Sequence, residues 1–199
     1  MKRIYYNRFI CFLSIIAIGL FLSSCKKESV SNNNADDHNY ISFKSDGVEK
    51  EYASNSFATF SPADTSGIYM GFMGAYQNTV GSDQPQISLL LMSEAEYTAG
   101  QVFQDPLKTV THGGVKEPQV IITYLEFVDP NGFQSLGLFS ELVGQPGYLE
   151  HTVADAKATI TEITASYVKG TFSATVFKSD DPSLKRVITD GKFYLKRII

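Results

Sequence analysis

The chain has 199 residues, with 21 acidic side chains against 17 basic ones, a formal charge of −4. That balance excludes a basic face of the kind that nucleic acid or an anionic lipid headgroup requires. Two cysteines and three histidines exclude a disulfide framework and leave little material for a zinc site.

The first element predicted along the chain is a signal peptide, residues 1–24. Lys2, Arg3 and Arg8 form a positive n-region, and Phe9 to Leu22 an apolar h-region. Fourteen residues at a rise of about 1.5 Å reach about 21 Å as a helix, short of a hydrocarbon core of about 30 Å. Leu22-Ser23-Ser24-Cys25 then fits a lipobox, in which small residues precede a cysteine that becomes lipid-modified. Cys25 is therefore the expected site of lipidation, palmitate included, and the membrane the expected partner through that anchor. Cys11 lies in the h-region and would leave with it, so no disulfide is expected. Residues 1–24 hold three basic side chains and no acidic one, so their loss moves the charge from −4 to −7.

Residues 25–39 carry the lipidated cysteine and a polar tether without apolar periodicity, too poor in apolar surface to offset its ordering entropy. From residue 40 to 199 the pattern is period two, interrupted by turn residues. Tyr40 to Lys44 and Val48 to Ala53 flank a hairpin turn at Ser45-Asp46-Gly47. Ser56 to Phe60 follows. Gly67 to Tyr76 sets Ile68, Met70, Phe72 and Tyr76 on one face, with small or mixed residues opposite. Gln86 to Met92 is apolar on both faces near its end, as for a central strand. Glu94 to Val102 is the one stretch with the makings of a short helical turn. Gln119 to Asp129 and Phe133 to Leu142 form a hairpin about Asp129-Pro130-Asn131-Gly132. Lys157 to Ile163, Tyr167 to Lys178 and Leu184 to Ile198 complete a meander. About ten short strands and no 3.6-residue stripe predict an all-β domain over 40–199, a single antiparallel β-sandwich, with a closed β-barrel as the alternative.

The residues that invite a chemical reading are few. His38, His112 and His151 stand at no zinc-like spacing, with Glu117 and Glu150 merely near two of them in sequence. His112-Gly113-Gly114 lacks the G-x-S-x-G partner of an esterase oxyanion loop. Asp129 to Gly132 lacks the alternating ligands of a calcium loop, and Asp180-Asp181-Pro182 reads as a turn. Glu94, Glu96, Glu126, Glu141, Glu150, Asp155 and Glu162 include no pair marked by context as glycosidase carboxylates. Tyr69, Tyr76, Tyr97, Tyr124, Tyr148 and Tyr167 could form a stacking platform for sugars, although the chain has no Trp. No catalytic residue, cofactor site or metal site is assigned on this basis.

Ala158 to Glu162, Val168 to Ala174 and Val187 to Phe193 give the pattern "I-T-E … V-x-G-T-F-S … I-T-D-G-x-F". Over these roughly 40 residues the chain resembles small uncharacterised lipoproteins of Bacteroidota, and Ile41-Ser42-Phe43 with Asp46-Gly47-Val48 resembles the opening of their domain. The resemblance implies a β-domain of unknown function and an outer-membrane lipid anchor, on the periplasmic or the surface face, but no chemistry. In physical terms the motif is architectural: Phe172, Ala174 and Val176 share one face, Thr171, Ser173 and Thr175 the other. Gly170 starts a strand, and Asp190-Gly191 makes a turn or bulge. A site, if the motif carries one, sits on the Thr/Ser face. The expected function is a non-enzymatic binding module for a glycan, peptide or protein. The alternatives are a structural subunit of an envelope assembly and a hydrolase acting on envelope polymers.

One consequence is direct. Replacing Cys25 with Ser should leave the chain unprocessed or release it from the membrane, with no incorporation of labelled palmitate; unchanged processing and anchoring would remove the lipoprotein reading.

Overall fold

The computed structural model describes residues 39–77, 85–106, 111–112, 115–127, 135–140, 155–178 and 181–198. Residues 1–38, which include the expected signal peptide, Cys25 and most of the expected tether, lie outside these residues, as do residues 128–134 and 141–154 and the side chain of His112. The described residues contain no helix and thirteen strands. In chain order these are β1 (Tyr40–Ser45), β2 (Val48–Tyr52), β3 (Ser54–Ser61), β4 (Tyr69–Tyr76), β5 (Gln86–Ser93), β6 (Val102–Gln104), β7 (Thr111–His112), β8 (Val115–Lys116), β9 (Gln119–Phe127), β10 (Ser135–Phe139), β11 (Lys157–Ile163), β12 (Tyr167–Lys178) and β13 (Asp181–Ile198).

Eleven of them form one sheet in the order β10-β12-β11-β6-β9-β5-β4-β3-β13-β1-β2, with β7 and β8 as a separate pair. Nearly every pairing is antiparallel; the exceptions are short parallel contacts of β13 with β3 and of β6 with β9. Additional pairings of β10 with β9 and of β12 with β13 turn the sheet back on itself. The result is all-β and sandwich-like. One layer is made by β11, β12, β13, β1 and β2, the other by β3, β4, β5 and β9. The two layers meet across the core, where Phe43 of β1 packs edge-on against Tyr124 of β9 with ring centroids 5.4 Å apart. Phe43 also meets Tyr52 at 5.3 Å and Phe172 at 6.2 Å. Ile87, Leu89, Leu91, Val120, Ile122, Ile160, Val168 and Leu195 complete an apolar interior from which water is excluded. Each such side chain contributes about 1.5–3 kcal/mol on burial.

The first hairpin forms where Asp-Gly predicts it. Ser45 pairs with Val48, and Asp46 and Gly47 take φ of 49° and 82°, the two left-handed positions of a tight turn. Asp46 also accepts the Val187 N–H at 2.8 Å, tying the turn to β13. The β9–β10 hairpin also forms, with Phe127 opposite Ser135. At the entrance to the domain, Asn39 donates to the Ser56 carbonyl at 2.8 Å and accepts the Lys196 N–H at 2.9 Å, fixing the chain to two other strands before β1 begins.

The helical turn expected within Glu94 to Val102 is not there. Ser93 Oγ accepts both the Ala95 N–H at 3.0 Å and Gln101 Nε2 at 2.9 Å, and Gln101 Oε1 accepts the Thr98 N–H at 3.2 Å. These side chains take the hydrogen bonds that a helix would have used. Tyr97 meanwhile drives its ring into the core, stacked at 5.8 Å on Phe103, with its hydroxyl 3.0 Å from the Leu91 carbonyl.

The architectural motif has a specific job. Gly170 is not the start of a strand but lies inside β12, opposite Phe193, while Phe172 lies opposite Gly191. A Cβ on Gly170 would stand 2.2 Å from the Thr159 carbonyl oxygen and 2.2 Å from the Phe193 ring; on Gly191 it would stand 2.5 Å from the Phe172 carbonyl oxygen. Each phenylalanine therefore has space only because its cross-strand partner is glycine. Beside this double pair sits the expected bulge. Both β1 and β12 slip register where β13 passes Asp190, whose φ is 53°.

Gly170→Ala should therefore lose about 3 kcal/mol or more through overpacking, a fall in melting temperature of roughly 6–12 °C for a domain of this size. Gly137→Ala, whose Cβ meets nothing closer than 3.5 Å, should melt close to the native protein. Calorimetry of both variants checks the contrast.

Candidate functional site

The outward side chains of β2, β1, β13, β12 and β11 line a groove of about 890 Å³. Strand register dictates its composition. One row across the five strands reads Glu51, Ser42, Lys192, Thr171, Thr159. The next reads Glu49, Lys44, Asp190, Ser173, Lys157, with Asp190 supplied by the bulge. Ser42, Thr159, Thr171 and Ser173 keep the middle of the groove shallow and present hydroxyls. Long charged side chains rise at the two ends, acidic on β2 and basic on β11. Thr171 and Ser173 belong to the Thr/Ser face of the motif, the face on which a site was expected. Thr175, the third member, is buried instead, its N–H and hydroxyl held by the Asp155 carboxylate at 2.7 and 2.6 Å.

In the centre, Lys44 Nζ meets Asp190 Oδ2 at 2.8 Å. This bond holds the Asp190 carboxyl below its ordinary value and the Lys44 ammonium above its own. Further along the same outer face lies a second cluster. Lys169 Nζ stands 4.8 Å from the ring centroid of Tyr167 and 4.7 Å from that of Tyr194, and 2.9 Å from Glu162 Oε2. The Tyr167 hydroxyl donates to the other oxygen of Glu162. That hydrogen bond, and after it Lys169, holds the Glu162 carboxyl below the usual range.

The sugar platform drawn from six tyrosines is not assembled. Tyr97 and Tyr124 are core residues, and burial pushes both hydroxyls well above the ordinary tyrosine value. Lys169 stands over the ring of Tyr167. Tyr69 packs on the core, Tyr76 is half-buried at the end of β4, and Tyr148 lies outside the described residues. Four of the named carboxylates are likewise drawn into separate structural tasks, and Glu96 is exposed. Glu126 pairs with Arg186, Asp155 caps Thr175, Glu162 joins the Tyr167–Lys169 cluster, and Glu94 accepts the Lys116 N–H at 3.0 Å. Glu141, Glu150, His38 and His151 lie outside the described residues. Among the described residues no group of three or more His, Cys, Asp or Glu side chains is placed to hold a metal ion.

The residues that shape the groove, Glu49, Glu51, Lys157 and Lys192, drew no attention in the sequence, because charged residues on alternate strand positions are ordinary there. Only the registers that put five strands side by side turn them into walls. No family model, curated protein or solved structure matches the chain.

The Lys44–Asp190 pair gives a signed pH prediction. A carboxyl lowered by folding stabilises the folded state above its unfolded value and loses that contribution as the pH falls through the folded value. Lysine, raised by the same bond, contributes below about 10.5 and loses its contribution on the alkaline side. An NMR titration should therefore find the Asp190 midpoint below 3.8 in the native protein and moved upward in Lys44→Met, where Lys192 alone still lowers it.

Proposed function

We propose that the chain is a lipid-anchored cell-envelope protein, held at the outer membrane through Cys25, whose β-domain is a non-enzymatic module that binds an extended polar peptide in the groove. The observation that carries this reading is the charge at the two ends of the groove, Glu49 and Glu51 on β2 and Lys157 on β11, with the Lys44–Asp190 pair, Lys192 and four hydroxyls between them. Five strands spaced about 4.8 Å apart set the ends about 19 Å from each other, the span of roughly six extended residues at about 3.3 Å each. A peptide crossing the strands with a basic end over β2 and an acidic end over β11 meets opposite charge at both ends and hydroxyl donors and acceptors between. The cavity volume lies in the range of ligand sites.

The lipobox, the resemblance to small Bacteroidota lipoproteins and the acidic balance of the chain support the envelope location. A role as an assembly subunit joined by strand addition is less well supported. The end strand β2 carries Glu49, Lys50 and Glu51 in succession, and an antiparallel pair of two copies centred on Lys50 would set Glu against Glu and Lys against Lys.

The test is thermal shift of a 38–199 chain, which holds the entire described core, against hexapeptides with one basic and one acidic half, all-basic and all-acidic hexapeptides, and neutral oligosaccharides. At 100 times its Kd a ligand adds about 2.7 kcal/mol, a rise of roughly 5–10 °C. Only the dipolar peptides should raise the melting temperature. The double variant Glu49→Gln, Glu51→Gln should weaken them about two- to fivefold per lost pair. A response to oligosaccharides alone would make the groove a glycan site, and silence throughout would remove the binding reading.

A further inference from the structure

The two halves of the groove are not equivalent. Towards β1 the central lysine is satisfied: Lys44 is bonded to Asp190 at 2.8 Å, and Glu49 adds a weaker attraction. Towards β11 the lysines are not. Lys157 and Lys192 are exposed, and among the described residues neither side chain forms an ion pair or a hydrogen bond. Lys192 exerts only a through-space pull on Asp190, whose carboxylate is engaged by Lys44. The hydroxyls of Thr159, Thr171 and Ser173 likewise have no protein partner among the described residues. Further along β12, by contrast, Thr175 gives its hydroxyl to Asp155 at 2.6 Å.

Register brings these five side chains together. Lys192 lies opposite Thr171 and Thr171 opposite Thr159, while Ser173 lies opposite Lys157 in the next row. β13 and β11 flank β12, so the two lysine Cα atoms stand about 10 Å apart across the strands and about 7 Å apart along them. Their four-carbon stems are flexible and carry both ammonium groups in over the three hydroxyls.

We infer that this half of the groove is an oxyanion site, and that the acidic end of the bound peptide fills it with a phosphoryl group. The inference rests on the peptide reading above and adds the chemistry of one end. Donor geometry selects the group. A carboxylate is flat and is matched by the coplanar fork of an arginine, and among the described residues no arginine lines the groove. A phosphoryl group carries a charge of about −1.5 to −2 at pH 7 and presents three acceptor oxygens. Two ammonium groups from opposite sides answer the charge, and three hydroxyls beneath answer the oxygens. The carboxylate nearest in register is Asp190, and Lys44 offsets it from the far side. Glu162, further along β11, is held by Tyr167 and Lys169.

The test uses the full chain in detergent and two hexapeptides, each with one basic and one acidic half. They differ at a single acidic position, phosphoserine in one and Glu in the other. Fluorescence anisotropy should give the phosphoserine peptide a Kd about tenfold lower, as for one added charge-assisted hydrogen bond. The double variant Lys157→Met, Lys192→Met should bring the two Kd values together. Glu49→Gln with Glu51→Gln should instead weaken both peptides and keep their ratio. Equal affinities in the native chain would overturn the inference and leave the peptide reading standing. So would a tenfold ratio that survives the loss of both lysines, since the phosphoryl group would then lie elsewhere. If neither peptide binds, inorganic phosphate decides, read by NMR at the amides of Thr159, Thr171 and Ser173. Shifts there that vanish in the double lysine variant would uphold the oxyanion site, with free phosphate as its source. No shift would remove the site together with the peptide.

Discussion

The two reciprocal glycine–phenylalanine pairs between β12 and β13 are the constraint on which the rest of the structure depends. Phe193 fills the space above Gly170, and Phe172 the space above Gly191. These rings are core residues, so the longest strand pair in the protein is held to the interior by side chains seated on its own backbone. The bulge at Asp190 lies next to them and shifts register against both neighbours at once. An extra residue on one strand bends it and increases its twist. The outer surface at this point is consequently not a flat lattice of side chains but a groove, with Asp190 drawn into it by the bulge.

From that bend follows the division of labour between the faces. The layer of β2, β1, β13, β12 and β11 places its charged side chains outward and its hydroxyls between them. On the opposite layer the small inward residues Ala58, Gly71 and Ala75 lie on β3 and β4, while β5 and β9 bury Ile87, Leu89, Leu91, Ile122 and Tyr124. Gly71 lies beneath the Phe60 ring and the Tyr97 hydroxyl, and a Cβ there would come within 2.7 Å of Phe60. The core on that side is supplied by Phe60, Tyr97 and Phe103 arriving from neighbouring segments. On β4 it is Gly71, Met73 and Ala75 that face inward, with Met70 and Phe72 facing out. On that layer the outward residues of β4 are uncharged. On the other, a backbone bulge produces a polar groove.

Much of the fold was legible in the amino-acid order. Asp46-Gly47 marks its turn because two consecutive left-handed residues admit few other sequences, and the alternation of Ile41, Phe43 and Ser45 with Ser42 and Lys44 gives β1 its faces. The strand pattern and the all-β class follow from the same local rules. The segment around Tyr97 was not legible, because its side-chain hydrogen bonds and its insertion into the core are tertiary events that override a weak helical preference. Nor was the orientation of β4. Alternation shows that Ile68, Met70, Phe72 and Tyr76 share a face; it does not show that the face points outward, since that depends on which other segments reach the core first.

What the sequence by itself determined is the set of elements whose cause lies within a few residues: most of the strands, the Asp46-Gly47 turn, an irregularity of turn or bulge at Asp190-Gly191, and the lipobox expectation at Cys25. What only the tertiary structure decided is which residues from distant strands stand side by side. Glu49, Lys44, Asp190, Ser173 and Lys157 span more than a hundred positions of the chain, yet occupy one row of the groove. Tyr97 and Tyr124, named in the sequence as members of a possible stacking platform, are core. Register between strands is set by the collective packing of the buried faces, in which a slip of one residue would exchange inside for outside along a whole strand. That information resides in the sum of all the strands and in no one of them.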